Sequence, residues 1–253
     1  MTRRLSDIWC VFLIHLERVR AEAGPFVLAA LVFPAGMYLF ASAVGGDAAP
    51  TGGNAGHQLR FLAGSIVFSL SLTAISWLGY LLLENRFTGR LRLFATLPLA
   101  SSSYAFGILL FGLAQAALGI ASLLLVSRVF GVRTALTVST SFLLIVLIVL
   151  MMLCGCGIAL VIASRARSFS EGSLLTDALG AGIVLIAPIY YAPESLPRAL
   201  QYFARILPTT YAARAVHTTL AGGRDIASDL LILAFMALVT LTVGFRSMRW
   251  CED

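Results

Sequence analysis

Six runs of this chain are long and apolar enough to cross a bilayer, and that feature decides what it can fold into. They are Pro25–Val44, Phe61–Leu83, Leu99–Ser127, Leu136–Ala163, Ser173–Tyr191 and Leu230–Phe245. Asp177, in the fifth run, is the one charged residue among them. A hydrocarbon core about 30 Å thick takes about 20 residues of helix. Strands of a membrane barrel would alternate polar and apolar residues over about 10 positions; these runs do not alternate. The expected fold is an all-α integral membrane protein with six transmembrane helices. Composition agrees: of 253 residues, 59% are hydrophobic and 12% charged, against about 25% charged in an average soluble domain. A disordered chain would be poor in apolar residues.

Residues 1–24 form a separate segment ahead of the six-span domain at 25–253. Leu5, Ile8, Trp9, Phe12, Leu13, Leu16 and Val19 recur at the spacing of one helical face, with Arg4, Asp7, Glu17 and Arg18 elsewhere on the wheel. That pattern predicts an amphipathic helix lying in the membrane surface. The apolar run at 9–16 is followed by Glu17, Arg18, Arg20 and Glu22 rather than a cleavage site, and the run from Pro25 exceeds a signal-peptide core. The N-terminus is expected to be retained.

All 18 basic residues are Arg; there is no Lys. A phosphate-binding loop of the G-x-x-x-x-G-K-[ST] type is therefore absent, as are Schiff-base and Ser–Lys chemistry. An intramembrane serine protease would need a base beside Ser65, and no run carries a His. Cys154 and Cys156 lie within the fourth run, where Cys154-Gly155-Cys156-Gly157 reads as a close helix crossing rather than a metal or redox site. Cys10 and Cys251 fall on the side of the termini, expected to be cytoplasmic, and no Cys lies in an external connection where a disulfide would form.

With six spans both termini share a side. That side holds eleven Arg: 3, 4, 18, 20, 86, 90, 92, 165, 167, 246 and 249; the other holds seven. The positive-inside rule makes the termini cytoplasmic, in the cell (inner) membrane.

Two connections are patterned. Between Glu84 and Pro98, expected to be cytoplasmic, Phe87, Leu91 and Phe94 fall at i, i+4, i+7, rimmed by Arg86, Arg90 and Arg92. This predicts a short surface helix closed by Pro98. Between Ala192 and Asp229, expected to be external, Leu196, Leu200, Phe203 and Leu207 form a stripe after Ser195 and Pro197. Pro208 ends it, and a second piece, Thr209–Leu220, stops at Gly222-Gly223. Both are too short to span and read as re-entrant or interfacial helices. Gly45–Gly56 reads as a flexible loop.

At these connections the sequence resembles the permease subunits of ABC-2-type ABC exporters. Glu84, Gly89, Leu91, Phe94 and Pro98 are similar to that family's acidic residue and G-x-L-x-x-L-x-x-x-P segment, with Phe94 in place of Leu. Leu196-Pro197 and Leu207-Pro208-Thr209-Thr210-Tyr211-Ala212, with Arg214 and Gly222-Gly223, resemble its external connection. Arg92 stands where members usually have an acidic residue, so a carboxylate contact there does not carry over.

The resemblance implies a transport subunit that is not itself an enzyme and holds no cofactor. ATP and Mg would be bound by a separate ATP-binding subunit, two copies per complex. Glu84, Arg86, Phe87, Gly89, Arg90, Leu91, Phe94 and Pro98 would form the coupling helix between spans 2 and 3, with Trp9 and Phe12 beside it. Leu196, Phe203, Leu207, Pro208, Tyr211 and Arg214 would form an external gate. A second permease, in a homodimer or heterodimer, would complete the route; membrane lipid is a further partner, and nucleic acid is not.

Individual residues carry their own expectations. Glu84 caps the surface helix's amides and pairs with Arg86 or Arg90. Asp177, four residues into its span, pairs with Arg165 or Arg167 or serves the route. Gln115 hydrogen-bonds between helices, beside a small stripe of Gly112, Ala116 and Gly119. His15 and His217 read as structural. The alternatives are a haem-exporting permease for cytochrome c maturation, of similar length and span count, and a non-transporting membrane adaptor or immunity protein. The Leu207–Arg214 stretch fits drug and lipid exporters better than the haem exporter.

Overall fold

Apolar runs without charge satisfy their backbone in lipid only by coiling on themselves, and every described element of this protein is helical. A computed structural model describes residues 2–21, 23–44, 55–97, 99–132, 134, 137–187, 189–190, 197–223 and 225–247. Pro98, Ser195, Leu196, Cys251 and most of the Gly45–Gly56 loop lie outside these residues.

The N-terminal helix α1 (Thr2–Ala21) precedes α2 (Ala23–Val27), a π turn (Leu28–Val32) and α3 (Phe33–Val44). Helix α4 (Ala55–Ser71) runs through a second π turn (Leu72–Trp77) into α5 (Leu78–Phe87). Helix α6 (Arg90–Thr96) is the predicted surface helix, and α7 (Ser101–Val129) and α8 (Val138–Arg165) are the long central pair. Then come α9 (Phe169–Ile186), α10 (Arg198–Ile206), α11 (Pro208–Leu220) and α12 (Ala227–Ser247).

Five helical runs are long and apolar enough to cross a membrane: Gln58–Phe87, Ser101–Val129, Val138–Arg165, Phe169–Ile186 and Ala227–Ser247. The apolar helix Ala30–Ala43, in the first expected span, is shorter. Its π turn has a cause in the sequence. Pro34 has no amide hydrogen, and its ring crowds the carbonyl of residue 30. That carbonyl faces α7 where Gly119 leaves room; a Cβ on Gly119 would stand 3.0 Å from the Ala30 oxygen. Ser122 of α7 donates to the neighbouring Leu31 oxygen at 3.4 Å.

Three spans differ from expectation at both ends. The second span starts earlier and continues to Phe87. The fifth starts at Phe169 because Ser168 caps it, its Oγ accepting from the Glu171 amide at 3.1 Å, and it ends at Ile186. The sixth is lengthened at both ends to Ala227–Ser247.

Small residues set the crossings. Gly155 meets Ala74 of the second π turn, and Gly157 lies against the backbone of Thr240 and Leu241 on α12. Gly244 returns the contact, so a Cβ there would stand 2.8 Å from the Gly157 oxygen. Cys154 and Cys156 are buried thiols within this crossing.

Helix α1 packs along α7 on an unexpected face. Val11 is 0% and His15 4% exposed, and Val11 fills the space left by Gly107. Leu5, Trp9 and Leu13 of the predicted stripe are exposed instead. Phe12 and Val19 pack partly against the core, and the helix leaves Leu5, Trp9, Leu13 and Ile14 outward.

Candidate functional site

The turn between α5 and α6 is built on one glycine. The α5 helix closes with the Thr88 amide donating to the Glu84 oxygen at 2.9 Å. Gly89 follows at φ 76°, a left-handed conformation that costs a side-chain-bearing residue about 1–2 kcal/mol. Gly89 is therefore the residue before α6, and it has no side chain with which to cap it. Of the two expected partners of Glu84, Arg90, the first residue of α6, lies 3.5 Å from its carboxylate. Arg86 donates to the oxygens of Ala163 (2.6 Å) and Ala166 (3.0 Å), placing a cation at the C-terminal end of α8.

Helix α6 docks through its apolar side. Phe94 is buried, its ring 5.2 Å from that of Tyr104 on α7, and Leu91 is half-buried. Tyr104 in turn accepts a hydrogen bond from Asn85 of α5 at 2.9 Å. The outward side carries Arg90, Arg92, Leu93 and Leu97, with Phe87 beside it. Leu93 is 66% exposed. Of the sequence stripe, Leu91 and Phe94 mark the docking face, whereas Phe87 is exposed, as are Leu93 and Leu97. Trp9 and Phe12 stack at 5.0 Å on α1, against α7.

A cavity of about 380 Å³ opens between α1, α2, α5, α7 and α9. Phe26, Trp77, Tyr80 and Phe111 form aromatic walls, and Glu84 and Asp177 supply carboxylates. Neither expected partner reaches Asp177. Because α9 starts at Phe169, Asp177 lies about 12 Å along its axis, and it has no ion-pair or hydrogen-bond partner among the described residues. Gln115 also departs from expectation. It is buried on α7, and its Oε1 has no partner among the described residues, its helix neighbours Phe111, Gly112, Ala116 and Gly119 offering no donor.

At the opposite end, α10 and α11 are joined by Leu207-Pro208. Pro208 both stops α10 and serves as the first residue of α11. The last carbonyls of α10 are closed by its successor: Thr210 Oγ1 donates to Ala204 (2.6 Å), and the Tyr211 hydroxyl to Arg205 (2.7 Å). Phe203 is exposed, whereas α11 is buried against α4, α8 and α12. Arg214 stacks over Tyr211 at 5.6 Å and binds Asp229 of α12, its Nε 3.1 and 2.9 Å from the two carboxylate oxygens. A glycine in the left-handed region, Gly222 at φ 83°, ends the unit.

The family model described as ABC-2 type transporter matches residues 14–220, from within α1 to the end of α11. The chain belongs to the ABC-2 type transporter family. No curated protein matches it significantly. It is the integral membrane, permease component of a transport system, and permeases of this family work with an ATP-binding subunit.

Two features of the permease are electrostatic. Hydrogen bonding to Asp229 raises the Arg214 guanidinium above its ordinary value. Burial and then the Arg60 charge lower His217 on α11, against a smaller opposing bond to the Gly56 backbone. Ser65 meets the Tyr190 hydroxyl at 3.5 Å, a pairing without a base. Asn85 and Asp229 belong to these sites although no motif announces them; each shows in the sequence only as a polar residue at the end of an apolar run.

Proposed function

We propose that this permease is the membrane half of an ATP-driven exporter and that α6 is the element its motor pushes. The observation that carries the reading is the mounting of α6. It is hinged to the second span at Gly89 and braced on the third through Phe94 and Tyr104. A load on Arg90, Arg92, Leu93 or Leu97 therefore reaches two spans at once. Glu84, held by Arg90, sits where the load enters.

ATP and Mg belong to the separate subunit in this reading, since the chain has no Lys for a phosphate-binding loop. Two motors act on two permeases, with the route between them. Residues 25–253 form a six-span domain with α2–α3 as the first span, and α1 lies on the membrane surface at 1–24. The termini are cytoplasmic by Arg distribution, which puts α6 beside the motor and α10–α11 at the external mouth. Phe203 there faces lipid or a partner, and Leu207, Pro208, Tyr211 and Arg214 hold α11 as a gate.

Co-expression with the cognate ATP-binding subunit tests this. A stable complex is expected, with permease-stimulated ATP hydrolysis lowered several-fold by Glu84→Ala and by Leu93→Asp. Parent-like turnover in both variants overturns the assignment of α6. Labelling of Arg167→Cys from outside the cell, with Thr51→Cys protected, would invert the topology.

A further inference from the structure

The cavity beside the second span combines features that select one kind of occupant. Its walls are mostly aromatic and apolar, with His15 and Ser76 among them, and among the described residues neither Lys nor Arg lines it. At about 380 Å³ it is of a size that holds small organic molecules. Asp177 contributes a carboxylate well inside α9 with no protein partner among the described residues. A charge placed so deep in a membrane costs about 2.5–3.5 kcal/mol on insertion scales, and nothing described in the protein offsets it.

Resting on the exporter reading above, we infer that this cavity binds an amphipathic organic cation, with its charge at Asp177 and its apolar body against Trp77, Tyr80, Phe26 and Phe111. Asp177 is exposed to the cavity mouth, and aromatic faces beside it attract cations through the ring quadrupole. An anion meets two carboxylates there, and a neutral lipid tail leaves Asp177 uncompensated. Glu84 stands at the same cavity but is held by Arg90 of α6. Asp177 is thus the charge that the ligand meets, and Glu84 links the occupied cavity to the surface helix. Entry from the cytoplasmic leaflet follows from the proposed orientation.

The test uses the full-length chain in lipid nanodiscs without ATP or a motor, with radiolabelled tetraphenylphosphonium as probe and empty nanodiscs as the partition blank. Saturable binding is expected. Asp177→Asn should weaken it by about tenfold, equivalent to about 1.4 kcal/mol, while Asp177→Glu stays close to the parent. Tetraphenylborate, of the same shape and opposite charge, should not displace the probe. Three results overturn the inference: no saturable binding by the parent, parent-like binding by Asp177→Asn, or displacement by tetraphenylborate. The last needs no variant, so a misfolded Asp177→Asn leaves the question decidable. Because no motor is present, failure here sinks the cation site alone, and the hydrolysis assay judges the exporter reading separately.

Discussion

Asn85 donates a hydrogen bond to the Tyr104 hydroxyl across 2.9 Å, and this buried contact ties the end of the second span to the start of the third. Both residues lie behind α6, and the other side of the Tyr104 ring meets Phe94. Interhelical hydrogen bonds in membrane proteins average about 0.6 kcal/mol and reach about 1.7. Tyr104→Phe should cost an amount in that range in a detergent unfolding titration while keeping α6 docked. Tyr104→Leu, which also removes the ring under Phe94, should cost more and lower stimulated ATP hydrolysis.

Arg214 and Asp229 should be strongly coupled. Asp229 is 3% exposed, so Arg214→Leu strands a buried carboxylate. Removing one partner of a buried pair costs several kcal/mol; the exposed guanidinium places this case near the low end, about 2–3 kcal/mol. Adding Asp229→Leu to Arg214→Leu should recover part of the loss. Additive unfolding free energies in the double-mutant cycle would contradict the pairing.

Gly89 is needed for its backbone alone. Nothing lies within 4 Å of a Cβ placed there, yet its φ is +76°. Gly89→Val should lose motor-stimulated turnover through a penalty of about 1–2 kcal/mol confined to the hinge. Gly89→Asn, which tolerates that conformation, should keep most of it. Equal loss in both variants would mean that bulk, not backbone, matters.

His217 gives the α11 end a pH dependence. Its folded pKa is lowered, so below the ordinary histidine value the unfolded chain takes up the proton more readily than the folded one. Stability should be complete above that value, fall as pH drops through it, and level off below the depressed folded pKa. His217→Gln should flatten this limb in unfolding titrations across mildly acidic pH.

Much of this architecture is legible in the chain because lipid leaves so few options. Apolar runs mark the long helices, and Leu91 and Phe94 mark α6, whereas Phe87 of the same stripe ends α5. What escapes is whatever depends on partners distant in sequence. The stripe on α1 shows that the helix is amphipathic, but not that Val11 and His15 face Gly107 and Phe111 while Trp9 turns outward. Asp229 reads as a helix-entry charge until Arg214, 15 residues earlier, comes round to it. The early start of α9 was available: Ser168 and Glu171 stand three apart, and the Ser168 hydroxyl accepts from the Glu171 amide. Pro34 likewise announces the first π turn. No such marker precedes the second.

That second π turn, Leu72–Trp77, amounts to one surplus residue threaded into an otherwise regular rod. Each residue of an α-helix advances the azimuth by about 100°, so a single deletion there would swing Trp77, Tyr80 and Glu84 together out of the hollow that they line. The pointing of every side chain on the lower half of that rod thus hangs on a one-residue miscount, which a lineage could gain or lose in a single codon event.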